Sequence, residues 1–96
     1  MLSRIAAAYA SDSQRLVGAI GQAIEAGRAA ELARAAHAWR SCNGNVGALP
    51  LVRLCRELEG CARTGDLAAA RALLERAHGL YVRVNDELQG ELRKSA

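Results

Sequence analysis

Apolar side chains recur along the chain at the three- and four-residue spacing of an α-helix. When the residues are placed at about 100° intervals around a helix, each of four stretches gathers its apolar positions on one face. The predicted helices run from about Leu2 to Ala26, Ala29 to Asn43, Leu49 to Arg63 and Leu67 to Leu92. Amphipathic helices with short connections predict an all-α fold, an antiparallel up-down-up-down four-helix bundle that forms a single domain over residues 1–96.

The first stretch leaves two interpretations open. Its apolar residues keep the same phase on both sides of a polar segment, which favours one long helix. Ser11 and Gln14, however, have the spacing of a capping box, which favours a break. At the end of this stretch Gly27 suits the left-handed residue that terminates many helices.

Local signals also mark the other helix ends. The segment from Gly44 to Gly47 is expected to break the second helix after Asn43. Pro50 lies in the first turn of the third helix, where a missing N–H group is tolerated. Gly65 is expected to end that helix, and Asp66 is a suitable N-cap for the next. Trp39 has the phase of a core residue, although its size suggests a partly exposed edge.

Composition supports the helical prediction and excludes several classes. Ala and Leu dominate a hydrophobic share of 51%, while aromatic residues make up only 3%, which disfavours a β-sandwich or barrel. No apolar run approaches the ~20 residues of a membrane span. The net charge of +3 is modest, and the arginines are spread along the chain, so nucleic acid is not an expected partner.

The three cysteines lack the spacing of a disulfide framework, which predicts a reducing cytoplasm. Cys42 and Cys55 are interpreted as small core residues. No pair of cysteines has the spacing of a zinc site, so no metal site is expected. His78 is interpreted as a surface or boundary residue of the last helix.

His37 is the candidate for chemistry. It lies roughly opposite the apolar stripe of the second helix, in the middle of the solvent face. Its neighbours at helical spacing include three small residues, Ala33, Ser41 and Gly44, so a second protein could close over the imidazole.

Two arginines flank the same imidazole. Arg34 and Arg40 lie one turn before and one turn after His37, and no general acid or base is expected nearby. This pattern suits a phosphoryl group, because the imidazole nitrogen can attack phosphorus while the guanidinium groups offset the charge of the oxygens.

The segment around His37 resembles the signature of histidine-containing phosphotransfer (Hpt) domains. That signature contains Ala-His, a hydrophobic residue, Lys or Arg, small residues, and a Gly-Ala that opens the next helix; residues 36–48 read AHAWRSCNGNVGA. Further matches are Leu51, Leu54-Cys55, Leu58-Glu59, Arg63, Gly65-Asp66 and Tyr81. The resemblance covers roughly residues 29–88.

The resemblance implies a function and its partners. His37 would accept a phosphoryl group from an aspartyl phosphate on one receiver domain and pass it to an Asp on another. The receiver would supply Mg²⁺, and the bundle, a monomer, would hold no cofactor and no kinase site of its own. Such a domain is expected in the cytoplasm, either freestanding or as the end of a hybrid sensor kinase.

The sequence departs from the family pattern at three positions. Arg40 replaces the more usual Lys, which keeps the charge but presents a planar fork of donors. Ser41 stands where the family nearly always has Gly, and its hydroxyl either obstructs a docked partner or hydrogen-bonds to it. Asn43 replaces a small residue and is expected to cap the helix end or to orient nearby side chains.

Two other functions are compatible with the same bundle. One is a non-catalytic module that binds a receiver without accepting phosphate, against which an intact His37 argues. The other is the phosphoacceptor domain of a chemotaxis-type kinase, phosphorylated directly by an ATP-binding domain. The Leu54-Cys55 and Leu58-Glu59 matches favour the relay type.

Overall fold

The chain reverses direction three times between four helices. The computed structural model describes residues 2–95, and the side chains of residues 4–94. The helices are α1 (Leu2–Ala26), α2 (Ala29–Asn45), α3 (Leu49–Thr64) and α4 (Leu67–Ser95). Each packs against the next along the chain, and α4 also packs against α1. Because connections of two or three residues force neighbouring helices to run antiparallel, the predicted all-α four-helix bundle is confirmed.

Glycines in the left-handed region make the sharp turns between helices. The φ angles of Gly27, Gly47 and Gly65 are +70°, +74° and +75°, a conformation that costs a residue with a Cβ atom free energy. The predicted stops at Gly27 and Gly65 are therefore confirmed. Asp66 caps α4 as expected, since its Oδ1 accepts a hydrogen bond of 3.1 Å from the backbone N–H of Ala69.

Helix α2 ends within the predicted segment from Gly44 to Gly47, two residues after the expected end at about Asn43. The helix continues through Gly44 to Asn45, and the turn is made at Gly47. The backbone N–H groups of Gly47 and Ala48 close the helix end by donating to the carbonyl oxygens of Gly44 and Asn43. A glycine in the last turn therefore weakens a helix without ending it, and Gly44 is a helical residue. The last two helices also extend past their predicted ends, to Thr64 and Ser95.

Helix α1 is continuous, so the alternative of a break near Ser11 was wrong. Ser11 faces solvent, but Ser13 is fully buried and its hydroxyl accepts a hydrogen bond of 3.0 Å from the indole N–H of Trp39. The polar segment thus contributes one residue to the core, and that residue is satisfied there.

The expectation of a partly exposed Trp39 was also wrong. Its side chain is fully buried, because Ser13 accepts the hydrogen bond of the indole N–H and the ring of Tyr81 packs against the indole. The ring centroid of Tyr81 lies 6.2 Å from that of Trp39 in an edge-on arrangement, and 5.7 Å from that of Tyr9. The three aromatic side chains form one cluster that joins α1, α2 and α4.

Asn43 is a second buried polar residue, and it lies beside this cluster. Its Oδ1 accepts a hydrogen bond of 2.7 Å from the Tyr9 hydroxyl, and its Nδ2 donates to the carbonyl oxygen of Trp39 at 3.0 Å and to Sγ of Cys55 at 3.6 Å. Of the two roles expected for Asn43, orientation of nearby side chains is the one observed.

The cysteines are free thiols that fill space in or near the core. Cys55 and Cys61 are buried and Cys42 is half-buried, so the interpretation as small core residues holds fully for Cys55 and partly for Cys42. Burial raises the pKa of the Cys55 thiol to about 12.

Candidate functional site

His37 stands on the outer face of α2. Its side chain is 62% exposed, while Trp39, two residues along the same helix, is fully buried. The core contacts of Trp39 fix the rotation of α2 about its axis. The prediction that His37 occupies the solvent face is therefore confirmed.

Glu59 of α3 lies beside the imidazole, which sequence reasoning missed. Its Oε1 is 3.2 Å from Nδ1 of His37, and its side chain is only 16% exposed. The expectation that no general acid or base lies near His37 was therefore wrong. The wheel of α2 alone shows only residues of α2, whereas Glu59 is 22 residues away and arrives through the packing of α3 against α2.

Arg40 reaches the same two groups. Its Nη2 is 2.8 Å from Nδ1 of His37 and 3.4 Å from Oε1 of Glu59. Its Nε is 2.8 Å from Oε2 of Glu59, although the N–H bond is not aligned for a directed hydrogen bond, so this contact is an ion pair. The prediction that Arg40 lies next to His37 is confirmed, and Glu59 holds its guanidinium there.

The small residues around His37 leave its exposed side open. Gly44 lies in the last turn of α2, and a Cβ atom built on it would meet no side chain within 4 Å. Ser41 is exposed, and its hydroxyl donates a hydrogen bond of 3.4 Å back to the carbonyl oxygen of His37. Ala33 is half-buried and packs against the core.

Other arginines lie on the same two helices as His37 and Glu59 and form no hydrogen bond or ion pair with His37. Arg34 is exposed and, within residues 4–94, forms no ion pair or hydrogen bond. Arg56 and Arg63 are exposed on α3, one helical turn before and after Glu59. Helices α2 and α3 thus carry several exposed guanidinium groups, and this positive charge favours an anionic ligand or partner.

No metal cluster accompanies these groups. In the part of the chain that the structure describes, no three His, Cys, Asp or Glu side chains lie close enough to hold a metal ion. His78 is exposed on α4, as expected, and its ring lies 6.3 Å from that of Tyr81. The arrangement at His37 is therefore an exposed imidazole with one carboxylate and one guanidinium at its Nδ1.

Comparison with known protein families identifies the family to which the chain belongs. The family model of the Hpt domain matches residues 4–94 of the chain, nearly its whole length. The chain is an Hpt domain. Hpt domains are phosphorelay carriers of two-component signal transduction, and the chain is such a carrier.

A solved structure supports the same assignment. The crystal structure of histidine-containing phosphotransfer protein B (HptB) from Pseudomonas aeruginosa PAO1 matches with a TM-score of 0.89 and 30% sequence identity. The match covers 94% of this chain and 78% of that one. A search of curated protein sequences gave no match.

The family also bears on the partners and the surroundings of the domain. Hpt domains interact with the receiver or kinase domains of two-component systems, and membership of the Hpt family implies partners of this kind for the chain. Among the described helices, none combines the length and the apolar character that a membrane crossing requires.

Proposed function

We propose that His37 is the phosphoryl acceptor of this Hpt domain and that the groups at its Nδ1 control its reactivity. The observation that carries the proposal is the convergence of Glu59 and Arg40 on one nitrogen of an exposed imidazole. With Nδ1 oriented by these groups, Nε2 is the nitrogen left for attack on phosphorus.

The transfer step is a displacement at phosphorus. The lone pair of Nε2 forms a bond to the phosphorus of a receiver's aspartyl phosphate, and the bond between phosphorus and the carboxylate oxygen breaks. A proton on Nδ1 would leave the phosphorylated ring positively charged, and the Glu59 carboxylate offsets that charge. Transfer to a second receiver reverses these changes. By family resemblance, the receiver is expected to bring Mg²⁺.

Arg40 is proposed to stabilise charge on the phosphoryl group during transfer. Its guanidinium lies against the imidazole, so it is close to the place where charge develops on an incoming phosphoryl group. Arg40→Ala should therefore lower the single-turnover transfer rate more than it weakens receiver affinity. Equal losses in rate and affinity would show that Arg40 serves only docking.

The remaining predicted residues are proposed to contact the receiver. Gly44 needs no glycine for packing within the chain, so a partner's close approach accounts for it better than an internal constraint. Arg34 is an unpaired cation on the same face, and the small side chain of Ala33 does not obstruct a partner that approaches it. Receiver surfaces that carry carboxylates around their aspartyl phosphate would complement this charge.

Ser41 is proposed to be tolerated at a position where the family usually has Gly. Its hydroxyl is directed back to the helix backbone and does not extend over the imidazole. Ser41→Gly should change transfer from the cognate receiver by less than about threefold and widen the set of receivers accepted. A cognate rate that rises tenfold or more would mean that Ser41 obstructs docking.

The decisive experiment compares the two histidines. His37→Gln should abolish phosphoryl transfer from a phosphorylated receiver and leave the unfolding free energy within about 0.5 kcal/mol, because the side chain is exposed. His78→Gln is the matched control and should transfer normally. The label should be acid-labile and alkali-stable, as expected of phosphohistidine. Transfer that survives His37→Gln, or is lost in His78→Gln, would refute the assignment.

Three broader predictions accompany this proposal. The domain is proposed to act as a monomer in the cytoplasm, either freestanding or as part of a hybrid sensor kinase. Light scattering of the purified domain tests the first point. A panel of phosphorylated receivers from the same genome, scored for transfer to His37, identifies the relay in which the domain works.

A further inference from the structure

The two groups that contact Nδ1 of His37 require opposite protonation states of that nitrogen. A guanidinium can only donate hydrogen bonds, so the 2.8 Å contact with Nη2 of Arg40 requires a lone pair on Nδ1. A carboxylate can only accept, so the 3.2 Å contact with Oε1 of Glu59 requires a proton on Nδ1. A neutral imidazole carries one proton, so only one of the two hydrogen bonds can exist at a time.

In the unphosphorylated domain the geometry favours Arg40 over Glu59 as the hydrogen-bond partner of Nδ1. Its contact with Nδ1 is 0.4 Å shorter than that of Glu59, from 2.8 Å against 3.2 Å. Glu59 does not need the proton of the imidazole in this state, because its Oε2 is already paired with Nε of Arg40. With Nδ1 accepting from Arg40, the single proton of the neutral ring must be on Nε2.

This placement of the proton occupies the nitrogen that the transfer reaction needs. We infer that Arg40 holds the resting imidazole in the Nε2–H tautomer, which cannot attack phosphorus through Nε2, and that withdrawal of Arg40 toward a phosphoryl group releases the nucleophilic tautomer. The inference deepens the proposed function and rests on His37 as the phosphoryl acceptor. It makes Arg40 both the restraint on the nucleophile and the group that neutralises the incoming charge.

The exchange of partners conserves protons and charge. When the guanidinium moves to the phosphoryl oxygens, Nε2 loses its proton to water and Nδ1 gains one from water, so the ring stays neutral. Nδ1–H then donates to Oε1 of Glu59, which holds the Nδ1–H tautomer in place. The lone pair of Nε2 is free for attack only after this exchange. Glu59 is accordingly a positioning residue.

Ring-nitrogen NMR tests the inference without any phosphoryl transfer. The ¹⁵N shifts of both ring nitrogens give the tautomer ratio of each neutral histidine in the full chain. His78 is an internal reference, because it is exposed and makes no hydrogen bond within the described residues. His37 of the unmodified protein should show a ratio of Nε2–H to Nδ1–H at least as high as that of His78.

Four variants complete the test as a double-mutant cycle. Arg40→Met keeps an unbranched, flexible side chain but removes the donor. The ratio at His37 should therefore fall by about fivefold to tenfold, the latter equal to about 1.4 kcal/mol, and drop below that of His78. Glu59→Leu removes the competitor and should leave the ratio high. The double variant should return His37 to the ratio of His78. Arg40→Lys separates the charge from the planar fork and should retain a ratio above that of Arg40→Met.

A neutral electrophile provides a chemical test in which Arg40→Met should have the opposite effect from its effect on phosphoryl transfer. Diethyl pyrocarbonate carries no charge for Arg40 to neutralise, so Arg40→Met should speed the modification of His37 relative to His78. The same variant should slow phosphoryl transfer.

A change of less than twofold in the tautomer ratio of Arg40→Met, or a predominant Nδ1–H tautomer in the unmodified protein, would overturn the inference. Its failure is distinguishable from failure of the proposed function. Transfer to His37 with an unresponsive ratio removes the inference alone, whereas a responsive ratio in a domain that never accepts phosphate removes the proposed function and with it the role assigned to Arg40.

Discussion

The buried amide of Asn43 should contribute about as much to the stability of this bundle as a buried apolar residue of similar size. It is fully buried and connects three helices, because it accepts from Tyr9 of α1, lies on α2 and donates to Cys55 of α3. Asn43→Ala removes these hydrogen bonds and leaves the hydroxyl of Tyr9, a residue only 3% exposed, without its principal acceptor.

The expected cost follows from these contacts. A neutral hydrogen bond contributes about 1 kcal/mol, and a stranded buried polar group costs about 1–3 kcal/mol. The sum is a destabilisation of about 2–4 kcal/mol. For a domain of this size each kcal/mol lowers Tm by about 4–8 °C, so Tm should fall by at least about 8 °C.

Urea unfolding followed by circular dichroism measures the loss. Asn45→Ala is the matched control, because Asn45 is the exposed last residue of the same helix and should change the free energy of unfolding by less than about 0.5 kcal/mol. A cycle with Tyr9→Phe should give a coupling energy of about 1 kcal/mol between the two side chains. If Asn43→Ala costs no more than Asn45→Ala, or if the coupling is zero, the network does not stabilise the fold as argued.

Three further predictions concern stability and spectroscopy. Gly44→Ala should stabilise the domain by about 0.5–1 kcal/mol, because the new methyl group meets no side chain, and lower receiver affinity; a loss of stability in urea unfolding contradicts this. Burial raises the pKa of Cys55 to about 12, so between about pH 9 and 12 the unfolded chain releases a proton that the folded chain keeps. The unfolding free energy should therefore fall as pH rises through this range. Cys55→Ala should flatten that slope, and an equal slope in both proteins would argue against the burial of this thiol. Trp39 should emit at short wavelength and resist acrylamide quenching until the protein unfolds, since it is fully buried; ready quenching in the native state would be inconsistent with that burial.

The helices themselves are local consequences of the sequence. Their signals depend on residues within one or two turns. These signals are the apolar face of each stretch, the left-handed glycines Gly27 and Gly65, and the N-cap Asp66. The same local logic placed His37 on the solvent face and Arg40 one turn away. The end of α2 was misjudged because a glycine in a last turn only weakens a helix, so Gly44 did not decide where it stopped.

What the tertiary structure alone decided is which residues of different helices meet. Ser13 and Asn43 look polar in sequence, and only the partners Trp39 and Tyr9, which lie on other helices, make their burial favourable. Glu59 likewise looks like a carboxylate at the edge of α3 until the packing of α3 on α2 brings it to Nδ1 of His37. Sequence patterns predict which face of a helix turns toward the core, because the apolar positions recur with the helical period of 3.6 residues. The axial register between two helices depends on how their side chains interdigitate, and only the folded bundle defines it.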